Sequence, residues 1–297
     1  MNFRRPCSAL VSPAVNGLLG PLSSGLYSWR RPATGSCAAQ AVRDTLQDND
    51  SRDLVTDRGD RMPTFDGLAP APTNFFMTIR DVAYWMRSAR ADARLERYRQ
   101  EDQGGSPFDH LYATTRDPFG VELPQYRYQQ RKYACLLSML PQRRYRNILD
   151  VGCGLGTFTR KLAPFGEQVL GTDISGEAVS QARRLSVSHP NITYAQRNML
   201  DAPPTESEFD LIIIADTLYY VNPRTPVALK TLARAFTSKL TPGGLILIVN
   251  HYFFGVDRAS RDTRQIHDAF RWAPSLDCIA DFRRAFFLAT LLRRAAD

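Results

Sequence analysis

Residues 147–158 (NILDVGCGLGTF) compress an apolar strand, a turn with three glycines and the start of a helix into one run, and few folds accommodate that combination. A strand that turns through glycine into a helix brings bare backbone N–H groups against a nucleotide-like ligand. Gly152 and Gly154 are free to take positive φ and leave no Cβ in the ligand's path. Gly156 lets the following helix pack close on the strand. The glycine spacing alone is a weak signal, because many tight strand-to-helix turns need glycines.

A second strand strengthens the signal. Residues 168–173 (QVLGTD) read as that strand and end in Asp173, whose carboxylate is placed to accept the hydroxyls of a ribose. Ile174 flanks the same position, and Asp150 at the tip of the first strand is expected to order the loop or meet the cofactor's amino group. The D-x-G-C-G-x-G form resembles that of class I S-adenosylmethionine (SAM) methyltransferases, where no pyrophosphate is cradled. A Rossmann domain binding NAD is the alternative.

The later strands agree with the first reading. Residues 191–197 are β-rich, and residues 209–216 and 245–249 are continuous apolar runs of the kind buried on both faces of a parallel sheet. Helical runs alternate with them: 157–163, a helix capped by Ser175 that stops before Pro190, and 225–240 with a stripe of Val227, Leu229, Leu232, Phe236 and Leu240. Such alternation predicts an α/β fold, a Rossmann-like doubly wound and mostly parallel sheet, with a helical cap before it. Ligands then bind beyond the strand ends, where Asp150, Asp173, Asp201 and Asp216 fall. Residues 285–292 fit either a last antiparallel strand or an amphipathic helix.

The 297 residues divide into three expected parts. Residues 1–74 lack periodicity and are rich in Pro, Gly and Ser, which predicts disorder. Their Arg-rich, acid-poor start also suits an organelle transit peptide, although an over-extended start, with Met62 or Met77 the true beginning, is the preferred reading. Residues 75–145 form the cap, with Phe76, Ile79, Val82, Ala83 and Met86 at helical spacing and a second helix over 126–140. Residues 146–297 form the SAM-binding core with closing elements.

The formal charge of +8 suggests nucleic acid, but five arginines in residues 1–43 (Arg4, Arg5, Arg30, Arg31, Arg43) account for +5 of it and leave +3. Of 38 basic residues only Lys132, Lys161, Lys230 and Lys239 are lysines, a bias that a GC-rich genome explains as well as a phosphate-binding surface does. Nucleic acid is therefore disfavoured as a partner. Five scattered cysteines without C-x-x-C pairs indicate neither zinc nor a disulfide framework, so no metal is expected. No apolar run reaches a membrane span, and a cytoplasmic protein is expected, with organelle import as the alternative.

From residue 108 onward the chain resembles one family, the nodulation-type (NodS-like) N-methyltransferases. The elements that carry the likeness are Asp117-Pro118-Phe119, the Tyr128-Gln129-Gln130-Arg131-Lys132-Tyr133 helix, Asp173-Ile174-Ser175, the Leu218-Tyr219-Tyr220 run, His251, and Ile266-His267-Asp268. It covers about residues 108–270. Gln129 stands where the family has a glutamate, and Asn198 where many SAM enzymes have an acid for the adenine amino group; its amide oxygen still accepts that hydrogen bond. The extension over 76–103 is not part of the pattern and points to a different acceptor pocket. The resemblance implies SAM as cofactor and methyl transfer to an amine on a small molecule, sugar-like or another secondary metabolite. Small-molecule O-methylation and, further off, RNA methylation are the alternatives.

Candidate residues can be assigned from that chemistry. Gly152, Gly154 and Gly156 are assigned to the methionine end, Asp173 to the ribose, and Asn198 with Met199 to the adenine. Tyr128 and Arg131 are placed near the SAM carboxylate. At the acceptor end, His251 is the first choice for a general base. Asp216 is a candidate to bind an amine and take its proton, Tyr219 and Tyr220 to present a π face, and His267 to join them. Each has a structural alternative: a loop anchor for Asp216, packing for the tyrosines, a satisfied or surface histidine for the others.

Overall fold

Apolar runs buried on both faces build the sheet of this computed structural model, which describes residues 79–101, 106–201, 208–221, 225–253, 257–284 and 286–296. In chain order its elements are α1 (Ile79–Glu101), α2 (Pro107–Thr114), α3 (Arg127–Met139), β1 (Tyr145–Val151), α4 (Thr157–Leu162) and β2 (Gly166–Asp173). Then come α5 (Gly176–Leu185), β3 (Ile192–Gln196), β4 (Phe209–Ala215), α6 (Pro226–Thr237), β5 (Leu240–Tyr252), α7 (Arg258–Arg271), β6 (Leu276–Arg284) and β7 (Phe286–Arg294).

The strands form one seven-stranded sheet in the order β3-β2-β1-β4-β5-β7-β6. The first five are parallel, and β7 runs antiparallel to both β5 and β6. From β1 the chain winds outward to β3 and then returns to place β4 on β1's other side. The carboxyl ends of β1 and β4 thus flank the point where strand order reverses, which is where such sheets open a crevice.

Alternation along the strands sends Ile212, Ile214, Ile246 and Ile248 to one face, where they pack with Leu229 and Phe236 of α6 and Ile266 and Phe270 of α7. Leu211, Ile213, Leu245 and Leu247 go to the other, against Leu136 of α3 and Phe158 and Leu162 of α4. The doubly wound fold read from the sequence is the one observed. Ser175 caps α5 as expected, its side chain accepting the Ala178 N–H.

Three details differ. In α1 the buried stripe is Asp81, Tyr84, Ala91 and Leu95, while Val82 and Met86 face outward; Phe76 lies outside the described residues. In α6 Val227 is exposed, and Leu240 already opens β5. Residues 286–294 are a strand, and a further edge strand, β6, precedes it. The expectations for residues 1–74, Met62 and Met77 fall outside the described residues. No helix among the described residues is long and apolar enough to cross a membrane.

His267 does not lie with the other candidate site residues. It is fully buried under α7, with Nδ1 2.7 Å from Thr290 Oγ1. Thr290 pairs with Ile248, three register positions from the His251–Phe287 pair, or about 10 Å along the strand. Thr290 donates its own hydroxyl proton to Asp281, so His267 Nδ1 must be the donor to Thr290. Burial, with the nearby Arg271 charge second, pushes its pKa down to about 3. The imidazole is therefore a neutral structural group. Because the folded pKa lies below the unfolded one, its contribution is fully present above pH 6.5 and is lost as pH falls toward 3. We expect this group alone to remove about 2 kcal/mol of stability between pH 6.5 and 5. His267→Asn, which keeps an N–H donor, should flatten that part of the pH-dependence in denaturant melts; an unchanged slope would show that the buried imidazole is not its source.

Candidate functional site

The glycine turn after β1 is shaped by what lies behind it. The N–H groups of Gly152 and Cys153 donate to Thr172 O at 2.7 and 2.9 Å, binding the turn to the end of β2. Gly152 sits at φ 70°, and a Cβ there would collide with the Thr217 side chain, which itself donates to Val151 O and Ala215 O. A side chain at this position is thus excluded on two counts, strain and collision.

Asp173 at the tip of β2 accepts the Gly154 N–H on Oδ2 at 2.8 Å and the Ser175 N–H on Oδ1 at 2.9 Å. Burial raises its pKa, with the Asp109 charge adding to the rise, while the N–H groups of Ser175, Gly154 and Ile174 pull it back. Asp150 is buried, accepts the Thr159 hydroxyl at 2.6 Å, and is pushed up to about 7 chiefly by burial. This bond ties the end of β1 to α4. Ile174 and Asn198 stand half-buried at the ends of β2 and β3; Asn198 Oδ1 accepts the Leu200 N–H at 3.0 Å, and Met199 packs on the main core.

The cap lies directly over this region. Asp109 of α2 accepts from Ser175 Oγ at 2.7 Å and from the Glu177 N–H at 3.1 Å, fastening α2 to the start of α5. Tyr112, one turn on, brings its hydroxyl over Gly154, 2.9 Å from where a Cβ would be. Glu122 forms an ion pair with Arg160 and accepts the Thr157 hydroxyl just past the glycine turn. Asp109, Tyr112, Glu122 and Thr159 were not identified from the sequence.

On the other side of the switch point, Asp216 follows β4 in a left-handed conformation (φ 55°), uncommon outside glycine. Its carboxylate forms an ion pair with Lys132 of α3, a lysine that is 2% exposed. Asp216 is thus a paired carboxylate. Tyr219 and Tyr220 lie on the short 3-10 turn Leu218–Tyr220. The Tyr219 ring is 4.3 Å from the His251 ring and 4.4 Å from Tyr220, and the Tyr220 hydroxyl donates to Asp92 of α1 at 2.8 Å. Burial holds both phenols well above their usual pKa, so both stay protonated at neutral pH.

His251 is the last residue but one of β5, between Tyr219 and Phe253, whose ring is 5.5 Å away. Asp216, Tyr219, Tyr220 and His251 are therefore brought together. Tyr128 is buried, its ring 5.1 Å from Trp85 and 5.7 Å from Tyr84, with Phe286 alongside. Its N–H donates to Asp81 of α1 at 2.9 Å, so this residue joins α1 to α3. Arg131 is half-buried on the same helix.

Residues 148–244 match the family model described as "Methyltransferase domain". Nodulation protein S of Sinorhizobium fredii is 29% identical over 146 residues, 49% of this chain and 63% of that protein. The malonyl-[acyl-carrier protein] O-methyltransferase of Enterobacter lignolyticus is 32% identical over 98 residues, 32% of this chain and 38% of that protein. The chain thus spans less than two thirds of the length of these relatives. The structure of N-methyltransferase NodS from Bradyrhizobium japonicum WM9 in complex with S-adenosyl-L-homocysteine (SAH) is similar in fold, with a TM-score of 0.52 at 19% identity over 70% of this chain and 98% of that one.

The residues around the turn fit SAM. As a carboxylate at the tip of β2, Asp173 has the chemistry that accepts the hydroxyls of a ribose. Asp173→Asn turns an NH2 group toward one of the two backbone N–H donors. It should weaken SAH binding about tenfold and lower stability by about 1–3 kcal/mol. Titration calorimetry showing unchanged affinity would remove the ribose assignment.

Proposed function

With residues 148–244 forming a class I SAM-dependent methyltransferase domain, and SAM as its cofactor, we propose that the chain N-methylates an amine on a small molecule, sugar-like or another secondary metabolite. The observation that carries this reading is the division of the crevice. A buried carboxylate and glycine turn lie on the β1–β2 side, and an aromatic-lined cluster around Asp216 lies on the β4–β5 side. Residues 75–145 act in this reading as the cap and residues 146–297 as the core.

Bound SAM supplies a methyl group on a sulfonium, an already activated leaving group. The chain's task is then to hold acceptor and cofactor in line, which contributes on the order of 7–11 kcal/mol to lowering such a barrier. We assign Gly152, Gly154 and Gly156 to the methionine end, Asp173 and Ile174 to the ribose, Asn198 and Met199 to the adenine, and Arg131 to the carboxylate. Asp150 supports the turn. His251 is placed to take the acceptor's proton, and Tyr219 and Tyr220 to orient it.

The Lys132–Asp216 pair favours nitrogen over oxygen as the acceptor atom. An alcohol needs a strong, well-oriented base, and the carboxylate at the β4 tip already answers to an ammonium. O-methylation is the second reading, supported by the relative that acts on malonyl-[acyl-carrier protein].

Incubation of the full chain with methyl-labelled SAM and a cell lysate, fractionated by size, tests this. Label in the small-molecule fraction is expected; label confined to RNA or protein would contradict it. His251→Ala should lower turnover about a hundredfold while leaving SAH affinity intact. Loss of its melting transition would mark His251 as structural instead.

A further inference from the structure

One lysine stands where the packing asks for an apolar residue. The buried face of α3 includes Tyr128, Lys132, Tyr133 and Leu136. The Lys132 Nζ lies 5.5 Å from the centre of the Phe287 ring on β7, and it pairs with the Asp216 carboxylate at the tip of β4. A methionine would fill similar space without taking a charge out of water. Buried ion pairs add little to stability over apolar packing, because desolvation offsets their attraction. What such a pair does supply is position.

The position held is an unusual one. Asp216 has φ 55°, a strained backbone for a residue other than glycine, and its N–H donates to Val249 O at 2.8 Å, which ties the β4 tip to β5. Its neighbours in sequence reach both sides of the crevice. Thr217 stands directly behind Gly152 of the glycine turn, and the Tyr219 ring meets the His251 ring. In the reading above, Asp216 therefore sits where the cofactor side meets the acceptor side. The pair is also lopsided: the Asp216 side chain is 26% exposed and that of Lys132 3%. Lys132 meets Oδ2, and no hydrogen bond from a described residue reaches Oδ1. The carboxylate is thus held on its protein side and open on the other.

We propose that Lys132 is a positioning residue for methyl transfer: by holding Oδ2 of Asp216 it presents Oδ1 to an N–H of the acceptor amine. This rests on the N-methyltransferase reading above and deepens it. A neutral amine that gives one N–H to a fixed oxygen has its lone pair restricted to directions at about the tetrahedral angle from that bond. The bond therefore helps to set the line from nitrogen to methyl, on which the rate depends. Asp216, its charge already met by an ammonium, orients the amine and leaves the proton to His251. Lys132 touches neither acceptor nor cofactor and acts through Asp216 alone.

The test uses the full chain, methyl-labelled SAM and three amine probes, glucosamine, phenethylamine and an aminoquinoline, and follows the one turned over fastest. Lys132→Met should lower kcat about a hundredfold, with KM and SAH affinity within about threefold of the unaltered chain. Asp216→Asn, which turns its NH2 group toward the acceptor, should lower kcat about as far. In the double variant the two losses should not multiply, and kcat should stay within about threefold of the slower single variant. If Lys132→Met does not fold, the double variant, which removes both charges, is compared with Asp216→Asn alone, and an equal kcat is expected. An unchanged kcat in either single variant, or losses that multiply in the double, would overturn the inference and leave N-methylation standing. SAH binding by the unaltered chain without transfer to these probes or to the small-molecule fraction of a lysate would overturn both.

Discussion

One carboxylate holds the crevice in shape. Asp173 takes an N–H from Gly154 on one oxygen and an N–H from Ser175 on the other, so the glycine turn after β1 and the start of α5 are fixed to the same two atoms. Ser175 passes the connection on to Asp109, and through it to the cap. A charge that deep is unfavourable, and these N–H groups offset only part of the effect.

The arrangement also separates tasks. On the β1–β2 side the packing is close, with Thr217 behind Gly152 and Tyr112 over Gly154. The β4–β5 side is made instead from side chains that the cap can vary: Asp92 on Tyr220, Trp85 on Phe253. In the proposed reading the cofactor side and the acceptor side thus share one sheet.

Much of this was legible in the sequence for a physical reason. Strands buried on both faces must be apolar throughout, and residues 209–216 and 245–249 announce themselves in that way. Edge strands need not be: β6 carries Asp277, Asp281 and Arg283, and nothing in its pattern distinguishes it from a loop. In α1 the apolar spacing of Val82 and Met86 misled, because the buried stripe uses Asp81 and Tyr84, polar-tipped residues that satisfy their hydrogen bonds at Tyr128 and Gln129. Lys132 had a faint signal, one of four lysines in an arginine-rich chain and placed on the apolar side of a helix. Its pairing with Asp216, 84 residues on, depends on tertiary placement that no local pattern encodes.

A crystal structure of the full chain with SAH is the most direct test of the central claim. The account predicts the ribose hydroxyls on the Asp173 carboxylate, the adenine beside Asn198 and Met199, and the sulfur turned toward Tyr219 and His251. SAH seated away from Asp173, or with its sulfur turned away from the aromatic cluster, would contradict it.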